Sequence, residues 1–189
     1  MLDSIESKTF IQDSFDQLAI EHGLEFFNCE FKNIDFSSFD FSHHKFHDCT
    51  FLNCQLSNVQ LGSSTMRSCT FKDSKLLGTQ FFKGSALTHL HFFNCLLDYV
   101  NFQNLKMLGW SFQGSKLEEA EFYQCDCGKV DFSQCELFGA RFTNCNLESA
   151  DFRLAKNYFI DLKVNKIKKA KFSTPEVISL LKTFEIEID

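Results

Sequence analysis

The sequence predicts an all-β, four-sided parallel solenoid, and three observations predict it. Eight phenylalanines, Phe31, Phe51, Phe71, Phe92, Phe112, Phe132, Phe152 and Phe172, recur every twenty residues, with one extra residue between Phe71 and Phe92. Between them a large apolar residue returns at every fifth position. The beat runs from Phe26 through Phe36, Phe41, Phe46, Leu56, Leu61, Met66, Leu76 and Phe81, then after the slip from Leu87 to Phe152 and on to Leu162, Ile167 and Phe172; Asn157 alone misses it. Two positions before each large residue most repeats carry a compact one, as at Cys29, Cys49, Val59, Cys69, Cys95, Val100, Ala120, Val130, Cys135, Ala140, Cys145 and Ala150, and the residues between are mostly polar.

A period of five is neither the 3.6 of an amphipathic helix nor the 2 of a strand. It suits a coil with four short walls, in which the large residue and the compact one two before it point inward. Four fives make one turn, so residues twenty apart stack, and the phenylalanines should form an aromatic ladder with rings about 4.8 Å apart, the spacing of neighbouring strands.

The triplets Ala120-Glu121-Phe122, Val130-Asp131-Phe132, Cys145-Asn146-Leu147 and Ala150-Asp151-Phe152 carry a pattern of small residue, then an acid or Asn, then Phe or Leu. In this the chain resembles the pentapeptide-repeat proteins over roughly residues 26 to 172. The resemblance implies a right-handed quadrilateral parallel β-helix. At Phe39, His44, Leu90, Leu105 and Trp110 the compact slot holds something bulky, and those turns are expected to be widened or distorted.

Taken in order, residues 1–25 are expected to cap the first turn, whose open backbone would otherwise recruit another chain. Ser14-Phe15-Asp16-Gln17 has the form of a capping box, which predicts one or two helical turns up to His22 with Gly23 as a stop. Residues 26–172 form the coil, with the slip near 81–86 as a bulge or kink. Phe82, Phe93 and Tyr99 fall on outward positions around it and are a candidate contact patch. Residues 173–189 then predict a helix, capped by Ser173 with Pro175 in its first turn and Glu176 reciprocating, followed by a short strand at Phe184 to Ile188. Val177, Ile178, Leu181, Phe184, Ile186 and Ile188 are the candidate apolar surface of this tail, which either covers the last turn or joins two copies.

One domain is expected from 189 residues with a single proline. The early acids and the lack of a long apolar run predict a cytoplasmic protein without a secretory signal or membrane span. Eight of the nine cysteines occupy compact inward slots and Cys127 a large one, so they read as buried thiols and not as disulfides or metal ligands. His43, His44 and His47 alternate out and in, and Cys125-Asp126-Cys127 lacks further ligands, so no metal, cofactor or catalytic residue is predicted. No phosphate loop or nucleophile elbow occurs, and an enzyme is the least favoured class.

Charge is banded. Residues 1–48 carry ten acids against three bases, 49–117 two against six, 118–161 nine against four and 162–189 four against six. The candidate acidic surface is Glu118, Glu119, Glu121, Asp126, Asp131, Glu136, Glu148, Asp151 and Asp161. Carboxylates repeated along a rigid rod can imitate a nucleic-acid backbone and attract a basic groove. The layout of repeats followed by a short helix and an alternating apolar tail resembles the Qnr-type fluoroquinolone-resistance and microcin-immunity branch of the family. That resemblance implies a homodimer through the tail and a DNA-mimic partner for DNA gyrase or topoisomerase IV. The lysines Lys163, Lys166, Lys168, Lys169 and Lys171 beside the tail stand against it. A scaffold for an unrelated partner, using Phe82, Phe93, Tyr99, Tyr123 and Phe138, is the competing reading. Direct nucleic-acid binding ranks below both because the net charge is −6.

Overall fold

The structure is a computed structural model that describes residues 4–18, 23–59, 61–82, 86–184 and 186. It is a parallel β-solenoid of short strands joined by tight turns. The first wall stacks Ser4–Glu6, Glu25–Phe27, Lys45–His47, Thr65–Arg67 and Ala86–Thr88. The second stacks Thr9–Phe10, Glu30–Lys32, Thr50–Leu52, Thr70–Lys72 and His91–Phe93, and continues by single bridges through Ser111 and Asp131 to Asp151–Phe152 and Lys171–Phe172. The third consists of single bridges from Asp35 through Gln55, Lys75, Leu96, Lys116 and Glu136 to Lys156. The fourth stacks Gln80–Phe82, Asn101–Gln103, Glu121–Tyr123 and Arg141–Thr143. Pairing is parallel, with an offset of twenty residues (Phe31 opposite Phe51) that becomes twenty-one across the slip (Phe71 opposite Phe92, Phe81 opposite Phe102).

The large residues of the beat point inward and are buried from Phe26 to Phe152. The second-wall rings are stacked face to face, from Phe31–Phe51 at 4.9 Å to Phe152–Phe172 at 5.3 Å. A second ladder, Phe81, Phe102, Phe122 and Phe142, climbs the opposite wall at 4.6–4.8 Å. The two meet edge to face, as Phe122 and Phe132 do at 5.5 Å, the geometry the aromatic quadrupole favours. Fused aromatic columns therefore fill the tube.

Compact slots hold small donors for a reason beyond size. Cys54, Ser74, Cys135 and Asn165 each donate to the carbonyl of a residue one turn earlier, namely Phe31, Phe51, Phe112 and Phe142. All nine cysteines are free and buried, and burial pushes the thiols of Cys54 and Cys95 up to about 11 and about 12. Corner residues adopt positive φ, among them Asn28, Asn33, Asn53, Asn94 and Asn144, which explains the abundance of asparagine: its short side chain tolerates the left-handed region. At the corner Gly139 (φ +70°) a Cβ would come within 2.5 Å of Glu119 Cδ, so a side chain there would need its neighbour to move.

Three expectations differ, while the turns with bulky slots keep their backbone bonds, Thr65 N–H to His44 O at 3.0 Å and Asp126 N–H to Leu105 O at 2.8 Å. Trp110 fits because the first-wall large positions around it are Met107 and Cys127, smaller than phenylalanine, and it packs against Phe92, Phe102 and Phe112.

The coil starts earlier than Phe26, since Ile5 pairs with Phe26 and Phe10 with Phe31, and Phe10 extends the ladder at 5.4 Å. The twenty-one-residue offset there hid the beat. Helix α1, Gln12–Asp16, then lies across the third wall, with Gln12 Oε1 accepting the Asp35 N–H at 2.8 Å and Phe15 packed on Phe36.

In α1 the N-cap position is Ile11, not Ser14. The Ser14 hydroxyl reaches back from the first turn, accepting from Ile11 N–H at 3.0 Å and donating to Ile11 O at 2.9 Å. The helix ends at Asp16; residues 19–22 of the expected helical stretch lie outside the described residues.

The tail helix is a 3-10 helix, Glu176–Phe184, preceded by a cis Thr174–Pro175 bond. Three residues per turn eclipse i and i+3. Val177 and Leu180 therefore face the core, while Ile178, Leu181 and Phe184 form an outward apolar stripe. The expected strand is not present at Phe184, which ends the helix, or at Ile186, which is exposed without strand pairing; Ile188 lies outside the described residues.

Candidate functional site

The nine candidate acids do not line one face. Glu121, Asp126, Asp131 and Glu136 each precede a large inward residue, and each such position lies on a different wall, so the four form a girdle around one turn. Along the axis each has a polar or basic neighbour: Glu121 lies between Asn101 and Arg141, Asp126 between Lys106 and Asn146, and Glu136 between Lys116 and Lys156. Of these four, Asp131 alone stacks acid on acid, with Asp151. Glu118 and Glu119 sit at the corner between the third and fourth walls, Glu148 beyond the first-wall Leu147, and Asp161 on the fourth wall before Leu162. Arg141 bridges Glu119 at 3.6 Å and Glu121 at 3.8 Å.

Asp151 is the most constrained of the nine. Arg153 clasps it through two guanidinium nitrogens, at 2.9 and 2.6 Å, and Lys171 stands 3.7 Å away. The Arg153 hydrogen bonds hold the Asp151 carboxyl below the usual carboxylate range, with burial opposing and Lys171 adding to the effect. A depressed folded-state value contributes stability that is present above the unfolded value, about 3.9, and is lost as pH falls through the folded one. Asp151→Asn is expected to lower the melting temperature by ~1–2 °C at pH 7, as for a screened surface pair. Thermal melts should show the gap narrowing as pH falls below about 3.9.

An equivalent girdle went unmarked in the sequence. Glu25, Glu30, Asp35 and Asp40 occupy the same position on the four walls of the first full turn, and their five-residue spacing was the available signal. Lys45 pairs with Glu25, and Lys32 with Glu30 at 2.8 Å.

The contact-patch residues are separated as well. Phe93 lies half-buried on the second wall, stacked near His91, and Tyr99 is an exposed corner of the third; the Phe82 side chain lies outside what is described. Tyr99 (φ 60°) and Leu154 (φ 61°) are bulky corners in the left-handed region, where large side chains are uncommon, and both are exposed. Of the histidines, His44 is buried against Phe39, His47 stacks on Phe27 at 4.8 Å and His43 is exposed. Among the described residues no three His, Cys, Asp or Glu side chains are placed to hold a metal ion. No helix among them is long and apolar enough to cross a membrane.

Among the described residues the tail carries the largest run of exposed apolar side chains, Ile178, Leu181, Phe184 and Ile186. Ser179 anchors the helix to the end of the third wall, its hydroxyl donating to Tyr158 O at 3.1 Å. Beside that anchor an open cleft of about 400 Å³ is lined by Phe138, Asn157, Tyr158, Phe159, Pro175, Glu176 and Ser179. Tyr158 is buried where Asn157 breaks the beat, its ring against Phe152 and Phe172. Its hydroxyl has no hydrogen-bond partner among the described residues, and burial, reinforced by the Glu176 charge, pushes its pKa up to about 12.

Among solved structures, the chain is similar to QnrB1, a plasmid-mediated fluoroquinolone resistance protein, at 17% identity and a TM-score of 0.48, covering 100% of this chain and 98% of that one. It is also similar to HetL, a pentapeptide repeat protein involved in heterocyst differentiation regulation from the cyanobacterium Nostoc sp., at 11% identity and a TM-score of 0.39 over 83% and 88% of the two chains. A pentapeptide repeat protein from the Arabidopsis thaliana thylakoid lumen matches at 21% identity and 0.30 over 76% and 75%. At these values the likeness says nothing of what this chain binds. A search of curated proteins finds no match. The family model described as "Pentapeptide repeat region" matches residues 24–102 and 44–122, and that described as "Pentapeptide repeats (8 copies)" matches residues 115–153. The chain belongs to the pentapeptide-repeat family.

Proposed function

We propose that this chain is a non-catalytic binding protein that pairs with a second copy through its tail and offers the rod's carboxylates to the basic DNA-binding groove of a type II topoisomerase, DNA gyrase or topoisomerase IV. The single observation that carries the reading is the outward stripe Ile178, Leu181 and Phe184, extended by exposed Ile186, on a tail already anchored to the coil. An apolar row left in water at the end of a rod is a self-complementary patch, and a two-fold dimer buries the same row from both copies. Pairing would double a rod of roughly 40 Å, reckoned at about 4.8 Å per rung.

The girdles supply the charge: whichever wall faces a basic groove, each carboxylate turn presents an acid to it. This is sparser than a phosphate row, and the bases between the acids lower its field. The second reading, a scaffold for an unrelated partner, is favoured by Tyr99, Tyr123 and Phe138, which stand exposed on the third and fourth walls.

Two measurements test the proposal. Light scattering of the full chain should give a dimer, and Ile178→Asp with Phe184→Asp, both at exposed positions, should give a monomer with an unchanged melting curve. A supercoiling assay titrated with the protein, with and without ciprofloxacin, should show inhibition or drug protection that weakens in the double variant. A dimer without any effect on supercoiling rejects the topoisomerase and leaves the scaffold; a wild-type monomer rejects the pairing.

A further inference from the structure

We infer that the cleft between the end of the third wall and the 3-10 helix binds an organic cation, a guanidinium or ammonium group on a short carbon chain. The inference is independent of the topoisomerase reading and rests on which polar atoms of the cleft remain unused. Two of its side-chain donors are engaged, the Ser179 hydroxyl donating to Tyr158 O at 3.1 Å and the Asn157 amide to Glu136 Oε1 at 2.7 Å, which leaves the Tyr158 hydroxyl, able to accept as well as donate. Its acceptors are not engaged. The Glu176 carboxylate has no basic partner among the described residues, and the Asn157 amide oxygen faces no donor there. The lining contains one acid and no base. A ligand that complements it must bring N–H groups and positive charge.

The apolar lining selects the same chemistry. Phe138 is 61% and Phe159 50% exposed, an unusual placement for two phenylalanines in a chain that buries its rings so thoroughly. Ring faces attract a cation through their quadrupole, more strongly where water is partly excluded. The buried Tyr158 hydroxyl, unpartnered among the described residues, belongs to the same lining and lies within the field of Glu176. A cleft of about 400 Å³ is within the size range of small-ligand sites. Glu176 also stands in the first turn of the 3-10 helix, where its charge suits the exposed N–H groups. That role leaves its side-chain oxygens open.

The guanidinium has two sources, a free small molecule or an arginine side chain of a partner protein, and the probes separate them. Isothermal titration of the full-length chain would use ethylguanidinium, the neutral isostere ethylurea, agmatine, and the blocked tripeptide acetyl-Gly-Arg-Gly-amide. Saturable binding of the guanidinium probes without binding of ethylurea is the expected result. Glu176→Gln should weaken it at least tenfold and Phe138→Ala about threefold, with unchanged melting curves because both side chains reach solvent. Tighter binding of agmatine assigns a free cation, and tighter binding of the tripeptide assigns a partner's arginine. Equal binding of ethylurea, no saturation by any cation, or full affinity in Glu176→Gln overturns the inference.

Discussion

Phe112→Ala will lower the unfolding free energy by about 3–5 kcal/mol in urea denaturation, the largest single-residue effect expected here. Phe112 is fully buried in the middle of the second-wall ladder, 5.1 Å from Phe92 and 5.3 Å from Phe132. It also meets Phe102 edge to face at 5.5 Å and borders Trp110 at 6.1 Å. Truncation removes the ring's transfer free energy and opens a void that the two aromatic columns cannot close, because each ring is fixed by those above and below. Phe112→Leu should cost far less, since leucine already fills the corresponding third-wall positions Leu97, Leu117 and Leu137. A loss below about 1 kcal/mol for the alanine variant would mean that the ladder is not the core it is taken to be.

Asn165→Leu will cost about 2–4 kcal/mol although it makes a buried residue more apolar. Asn165 Oδ1 accepts the buried Cys145 N–H at 2.8 Å, and its Nδ2 donates to Phe142 O at 2.7 Å and Asp161 O at 3.0 Å. Leucine removes all three hydrogen bonds at once and leaves the Cys145 N–H and Phe142 carbonyl buried without replacements. Serine supplies the control. Ser74 accepts from Cys54 N–H at 3.0 Å and donates to Phe51 O, and Ser115 does the same between Cys95 N–H and Phe92 O. Asn165→Ser should therefore recover most of the loss. Equal stability of the leucine and serine variants would show that these bonds contribute nothing net.

Wall assignment was legible because it depends on a counting rule: every fifth side chain must enter the tube, and that position is filled by an apolar residue from Phe26 to Phe152. The first ladder was legible for the same reason, down to its ring spacing. The second was written in Phe81, Phe102, Phe122 and Phe142 with equal clarity but was interrupted by Leu61, which separates them from Phe41. The ends were not legible. Ile5 and Phe10 belong to the coil at an offset of twenty-one, and α1 is positioned by a tertiary hydrogen bond from Asp35 to Gln12 that no local pattern announces.

At the tail, Ser173-Thr174-Pro175-Glu176 reads as an α-helix start, yet packing of Val177 and Leu180 three residues apart on the last turn selects the 3-10 form. The candidate acids were found by composition, but composition cannot say whether charges fall in a row or a ring. That follows from their place relative to Phe122, Cys127, Phe132 and Leu137, each acid preceding its own inward residue. The cleft was invisible, since Asn157 looked only like a missed beat.

Because every five residues advance the chain by one wall, length changes in this architecture behave like the clicks of an indexed dial. Gain or loss of twenty residues lengthens or shortens the barrel and leaves helix α1, on the third wall at one end, and the carboxy-terminal cleft at the other facing as before. Gain or loss of five swings one through ninety degrees relative to the other. The extra residue beyond Phe82 does neither, since Phe81 still faces Phe102 and Phe71 still faces Phe92. Two relatives of equal height can thus point their binding features in different directions, and repeat arithmetic alone says which.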